Sequence, residues 1–596
     1  MNRLCAATRR GPLLRGVSGA ALILALGAAG AAQAANYDRI IVFGDSISDS
    51  GNYATKAPAG AGKFTTNPDD VWVEIVAKGL SLDLKPHAAG GSNYAEGGAR
   101  VALQRPDAPG NLTRRPVTDQ VADFMATDGK LTRNSLVIIQ GGGNDVFSTK
   151  LNGPTDTPAD LEVLRVAAEG LADQINGLIK AGAGTVVTTS VPKFEPFNER
   201  YDAALASRGL NVLYVDMAGL IAEIETAPAA FGITNITDRA CRGFALESFT
   251  CLPKDYVTPD ANRTYLYADS VHFTGVVHKI QGDATLAMLR APGHYAQLPH
   301  MLLSTNRVSG HLARERMDAA SHNPVPGWRL IGGVRVVDND PTDGGHTDGT
   351  ILQAGMEQGI GPGLTTGAYL SWHHGTGDVA GDLGGLSIDS YALQGFAAFH
   401  HGLVAADLTA AVGRGNLQDI ERKVPMGPAL RVETGDTDSD LLMAEARLSV
   451  DLLTGPLRMA PFLTARYDRI KVDGYAEAGQ RSTQITFAGQ KLETLEMGAG
   501  LRFSSAEPLR GIIPTLELGY AGDVLNQAQK VAMLPHGAPV WFTSSPVGTI
   551  NDAVFYGFTA TIPVSDRTAL TLGIRGRSAG HGQNDLSGGL ALSLSF

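Results

Sequence analysis

The sequence predicts an α/β domain with a parallel sheet between helices, followed by an all-β, membrane-spanning barrel. Three observations carry this expectation. At 596 residues the chain is too long for a single core, so at least two domains are expected. From about residue 35 to 290, short β-rich runs alternate with helical stretches. From about 326 to Phe596, the helical period vanishes and long segments alternate apolar and polar residues.

The chain starts with a basic segment (Arg3, Arg9, Arg10 and Arg15), followed by an apolar run from Val17 to Ala32 and the small-x-small pattern "AQA" at Ala32–Ala34. Residues 1–34 therefore read as a secretory signal. The apolar run is short for a spanning helix and rich in Ala and Gly. Loss of these four arginines takes the formal charge from −11 to −15, which argues against a nucleic-acid partner. Cys5 leaves with the signal. Cys241 and Cys251 remain, and in an exported protein they are expected to form a disulfide closing a small loop rather than stay as two thiols. No metal-ligand spacing accompanies them, and the reading calls for no cofactor.

In the first domain, residues 35–295, the expected strands are "RIIVF" (39–43), "LDL" (82–84), "SLVIIQ" (135–140), "TVVTTS" (185–190) and "NVLYVD" (211–216). Helical stretches such as 160–182 lie between them, giving the βαβ rhythm of a parallel sheet covered on both faces. Within residues 296–325, the stretch 298–323 has few strong breakers and carries the polar segment "HLARERMDAA"; it suits a helix threaded through a barrel lumen, with an ordinary interdomain linker as the alternative. Residues 326–596 form the barrel. In 442–452, Leu442, Ala444, Ala446, Leu448, Val450 and Leu452 share one face, while Met443, Glu445, Arg447, Ser449 and Asp451 share the other. The rows at 457–468, 554–562 and 568–574 repeat this, and the chain ends on Leu590, Leu592, Leu594 and Phe596. A soluble sandwich also alternates. The strand length of about ten residues or more, charges opposite the apolar row and the lack of an apolar spanning run select a closed barrel, with about twelve strands.

The chemistry collects after the early strands. "GDS" with Ser46 follows the first, "GGSNYAEGGA" (90–99) the second and "GGGND" (141–145) the third. In an open parallel sheet these carboxyl ends share one edge, where ligands bind. A serine hydroxyl there needs a base. "YADSVHFT" (267–274) offers His272, with Asp269 one turn earlier to hold the imidazole. Gly98, Asn144 and the Ser46 N–H are the candidate oxyanion donors. Asp49 is read as a helix cap in preference to a brace for the Ser46 turn. Asp145 is read as stabilising its own loop. Each motif alone arises often by chance, but four in this order on one sheet are specific.

Over roughly 38–285 the chain resembles the GDSL, or SGNH, serine esterases and lipases. "FGDSISDSGN" resembles the first family block, with Ile47 where Leu is usual. "NYAEGGA" resembles the second, with its oxyanion glycine at Gly98. "GGND" resembles the third, with its asparagine at Asn144. "DSVH" resembles the last, with acid and base at Asp269 and His272. "GKFTTNPDDVWVEIVA" around Trp72 and "PAAFGITNITDRAC" before the cysteine pair are similar too, whereas "SVPKFEP" (190–196) is shorter than the family loop. The resemblance implies a flavodoxin-like fold and hydrolysis of carboxylic esters through a Ser46–His272–Asp269 triad. Joined to a barrel of about 270 residues with a final Phe, it resembles the esterase autotransporters of Gram-negative outer membranes. That implies display at the cell surface, an ester or lipid substrate, contact with outer-membrane lipids, and passage through the Sec and barrel-assembly machineries. Acyl transfer to an alcohol would use the same residues. A catalytically silent adhesive passenger is the reading from another class.

Overall fold

The computed structural model describes residues 37–596, apart from 105–112, 150–156, 244–246, 323–325, 343, 362, 547–551 and 581. The expected signal at 1–34 lies outside the described residues. Among the described residues of the N-terminal half, the main sheet has four parallel strands in sequence order: β1 (Arg39–Phe43), β2 (Ser135–Ile139), β3 (Thr185–Thr189) and β4 (Leu213–Val215). These short runs are buried on both faces, as a helix-covered sheet demands. Alternate residues serve the two layers. Ile40, Val42, Leu136, Ile138 and Val187 face one cluster. Ile41, Phe43, Val137, Ile139 and Val186 face the other.

The helices are α1 (Trp72–Gly79), α2 (Val117–Thr127), α3 (Gly143–Ser148), α4 (Pro158–Lys180), α5 (Glu195–Arg208), α6 (Met217–Thr226), α7 (Ala261–Thr264), α8 (Gly275–Ser309) and α9 (His311–His322). Helices α1, α6 and α8 cover the first cluster and α2, α4 and α5 the second. The expected strand at 82–84 is absent. The place beside β1 is taken by residues 92–96: Val42 donates to Ser92 O, Tyr94 to Val42 O and Glu96 to Gly44 O, at 3.0, 2.8 and 3.1 Å. "LDL" is too short and too exposed to compete for that edge, and Leu82 and Leu84 only pack against the first cluster. The exchange draws the second glycine-rich loop directly onto the strand that leads into the Ser46 turn.

Among the described residues, twelve antiparallel strands between Gly327 and Ser595 close into a barrel. The first, Gly327–Thr342, pairs with the last, Asn584–Ser595, and Ala429–Val450 with Leu457–Val472. The alternation sorts its faces as a lipid environment requires. Leu442, Leu448, Leu463, Phe558 and Ile574 point outward and are 41–62% exposed, whereas Arg447, Arg466 and Asp468 point inward and are buried.

Helix α8 begins three residues after His272, packs against α1, and continues into the barrel, where α9 follows it. It stays helical through Pro292 and Pro299. The 295/296 position expected as a boundary therefore falls inside one helix, not at a break. In the lumen, α9 meets inward charges: Arg316 pairs with Glu357 at 2.7 Å, Glu315 with Arg335 at 2.7 Å, and Asp318 with Arg447 at 3.3 Å and with Arg502.

Candidate active site

Ser46 stands at the turn leaving β1. Gln120 clamps the Gly44 peptide from both sides, accepting from its N–H and donating to its carbonyl, each at 2.9 Å. Asp45 Oδ1 accepts from Ile47 N–H at 3.1 Å and from the Gln140 amide at 2.8 Å. Ser48 is fully buried and its Oγ accepts from Trp72 Nε1 at 3.1 Å, while Ser50 Oγ accepts from Asn93 Nδ2 at 2.8 Å. Of the three serines in this stretch, only Ser46 reaches a base.

That base is His272. Its Nε2 lies 2.9 Å from Ser46 Oγ, and its Nδ1 lies 2.8 Å from Asp269 Oδ2. The local turn holds the acid as the three-residue spacing suggests: Asp269 Oδ1 accepts from the N–H groups of Val271 and His272 at 2.9 and 2.8 Å. Burial works against the Asp269 charge, but His272 and these donors outweigh it and hold the carboxyl below the usual carboxylate range. A buried carboxylate beside one imidazole nitrogen fixes the ring so that the other nitrogen faces the hydroxyl.

Gly98 has φ +82°, the left-handed region, and a Cβ there would come within 2.8 Å of Arg114 Cδ. The loop therefore requires glycine. Among the described residues, the N–H groups of Ser46 and Gly98 have no protein acceptor. Asn144 sits in the first turn of α3 and donates from Nδ2 to Ala99 O at 2.9 Å, which ties the third motif to the second. Asp145 does the same from the next position. Its carboxylate accepts from Arg100 Nε at 3.1 Å and Val101 N–H at 2.9 Å, so it braces the neighbouring loop, not its own.

Asp49 also departs from the expected cap. It is fully buried, and it accepts from Gly51 and Asn52 N–H at 2.9 and 2.7 Å and from Gly97 N–H at 3.0 Å. It thus links the Ser46 turn to the Gly98 loop. Sequence reasoning also missed Ser248. This buried residue lies between the two cysteines, donates its N–H to Asp269 Oδ2 at 3.1 Å, and brings its Oγ within 3.2 Å of His272 Nδ1. Its position inside a disulfide loop was the one signal available. Cys241 and Cys251 are bonded, with Cα atoms 5.9 Å apart.

A cavity of about 500 Å³ opens beside Ser46 and His272, lined by Phe147, Val191, Phe194, Tyr267 and Val271 among others. Gly98 and Asn144 are not part of its wall, although Gly143, next to Asn144, is. The short 190–196 segment supplies one side of the rim, where Lys193 is held by Glu225 at 2.6 Å. A nucleophile, a base and an acid beside a cavity of mixed apolar and polar lining, with unpaired N–H groups on Ser46 and Gly98, suit acyl chemistry.

Residues 40–285 match the GDSL-like lipase/acylhydrolase family, and residues 330–575 match the autotransporter beta-domain family. The chain is 26% identical over 559 residues to Esterase EstA of Pseudomonas aeruginosa, covering 82% of this chain and 85% of that one. It is 23% identical over 572 residues to Lipase 1 of Photorhabdus luminescens, covering 79% and 83%. Among solved structures, the translocator domain of the autotransporter NalP from Neisseria meningitidis overlays with a TM-score of 0.41 at 18% identity, covering 50% of this chain and 97% of that one.

Proposed function

We propose how this chain, a carboxylic ester hydrolase that joins a GDSL-like lipase/acylhydrolase domain to an outer-membrane autotransporter β-domain, performs its reaction. Ser46 Oγ attacks the ester carbonyl while His272 Nε2 takes its proton. Asp269 orients the ring and stabilises the imidazolium. The tetrahedral oxyanion is met by the N–H groups of Ser46 and Gly98 and by the Asn144 amide. His272 returns the proton to the departing alcohol, and water attacks the acyl-enzyme by the same relay. The cavity beside Ser46 takes the acyl group. The observation that carries this reading is the buried relay of 2.9 and 2.8 Å from Ser46 through His272 to Asp269.

In the same reading, residues 1–34 direct Sec export, 35–295 form the catalytic passenger, 296–325 the lumen helix and 326–596 the translocator, inserted by barrel-assembly machinery. Cells displaying the wild type and Ser46→Ala are given p-nitrophenyl esters of short and long acyl chains. Ser46→Ala is expected to lose at least about 10³-fold in kcat with every chain length. Equal rates from the two would sink the proposal.

A further inference from the structure

The catalytic motifs account for Ser46, Asp269 and His272 but leave Ser248 without a role, although it is fully buried against two of them. We propose that Ser248 is a positioning residue for the Asp269–His272 pair, and that the Cys241–Cys251 disulfide is the strap that keeps it there. This rests on the relay described above.

The two contacts of Ser248 act on different partners. Its N–H donates to Asp269 Oδ2 at 3.1 Å, the same oxygen that faces His272 Nδ1. With Val271 and His272 N–H on Oδ1, both carboxylate oxygens are then supplied with donors. A buried carboxylate satisfied in this way stays ionised and does not take the ring proton. The Ser248 hydroxyl lies 3.2 Å from Nδ1 and offers the Nδ1–H a second acceptor. That oxygen gains value when His272 becomes charged, because the low-dielectric surroundings strengthen a hydrogen bond to a cation.

The strap follows from chain topology. Cys241 N–H donates to Ala268 O at 3.0 Å, so one cysteine is fixed beside the residue that precedes Asp269. The other, Cys251, lies three residues beyond Ser248 and donates its N–H to Ser248 O at 3.1 Å. The disulfide therefore joins a segment hydrogen-bonded beside the acid to the segment that carries Ser248. Asn67 supports the second segment, donating from Nδ2 to Ser248 O at 2.8 Å while its own N–H meets Cys251 O at 3.1 Å. Without the covalent link, a loop closed at one edge by these few bonds has more freedom to leave the carboxylate.

The test measures kcat, KM and the pH profile of kcat/KM on the full displayed chain. Ser248→Ala keeps the backbone N–H and removes only the hydroxyl. It is expected to lower kcat about tenfold with KM within about twofold, and to move the acidic limb of kcat/KM to lower pH, since the imidazolium loses an acceptor. An unmoved acidic limb with wild-type kcat would overturn the hydroxyl's role. So would a change confined to KM and heat resistance, which space-filling alone explains. For the strap, the Cys241→Ser/Cys251→Ser double variant and wild type reduced by a dithiol are both expected to lose kcat several-fold. Reduction converts the disulfide to two thiols and the dithiol to its cyclic disulfide. Full kcat after verified reduction would overturn the strap. Ser46→Ala separates the layers: if it is active, the relay itself is wrong. If it is inert and Ser248→Ala is normal, only the present inference falls.

Discussion

Asp49 is an acid that the fold prefers neutral. Burial pushes its carboxyl up to about 7, against three backbone N–H donors that pull the other way. Between about pH 4 and that value, the unfolded carboxyl is ionised while the folded one keeps its proton. The native state then binds more protons, so this group's contribution to stability falls as pH rises through the window. The slope is about 1.4 kcal/mol per pH unit, and it flattens above the folded value. Asp49→Asn removes that slope, although its amide hydrogens now oppose the Gly97 N–H. Thermal midpoints of the esterase domain across this window should fall more steeply in wild type than in the variant. Parallel pH dependences would show that Asp49 is ionised in the fold. The motif around Ser46 was legible as a sequence pattern. Asp49 as a bridge was not, because its third partner lies 48 positions away and belongs to another loop.

Helix α8 and one hairpin outside the barrel wall, Val531–Pro535 paired with Phe542–Ser544 in a separate four-stranded sheet, decide how the catalytic half is held. The α8 side chains lie in one apolar cluster with β-sheet residues of the esterase and with Ile388, Leu417, Ile470 and Phe542 of the barrel half. The hairpin that carries Phe542 reaches the esterase directly. Asn211 and Thr543 exchange two hydrogen bonds at 3.0 and 2.7 Å. His536 Nδ1 meets Asp216 Oδ2 at 3.3 Å, and Asp216 Oδ1 accepts from Ser190 Oγ, on the cavity wall, at 3.0 Å. Phe542 is 3% exposed, so Phe542→Ala should cost about 3 kcal/mol of local stability. Esterase activity would then be lost at a lower temperature, while the barrel keeps its resistance to denaturant. An unchanged inactivation temperature would mean that the hairpin does not support the esterase. The helix at the end of this element was suggested by its lack of breakers. Its start at Gly275 was not, since Pro292 and Pro299 stand inside it and the helix is held across them by a sheet on one side and a lumen on the other.

Across the whole molecule, charge and apolar surface are sorted into opposite places. The barrel turns its aliphatic and aromatic rows outward, and its carboxylates and guanidinium groups inward onto α9. Asp318 faces Arg447, Arg502 and Arg575, so Asp318→Asn leaves several buried cations short of their counter-charge. A loss of about 3 kcal/mol in barrel stability is expected, seen as a lower denaturant midpoint. Glu517, within 3.3 Å of Arg447, limits that loss and should make Asp318→Asn/Glu517→Gln worse than additive. An unchanged midpoint in both variants would remove the ionic plug as a source of stability.

The sequence by itself determined the two architectures, the outward rows of the barrel and the four short motifs that carry Ser46, Gly98, Asn144 and the Asp269–His272 pair. These follow from local rules: period-two alternation, strand ends and single-turn spacings are written within about ten consecutive residues. Only the tertiary structure decided that residues 92–96, not 82–84, lie beside β1, that Asp49 and Asp145 each brace a different loop, and that Ser248 touches the acid and the base together. Each of these depends on which distant segment wins a buried hydrogen-bonding place. That competition is settled by packing across the whole sheet, not by any stretch of chain alone.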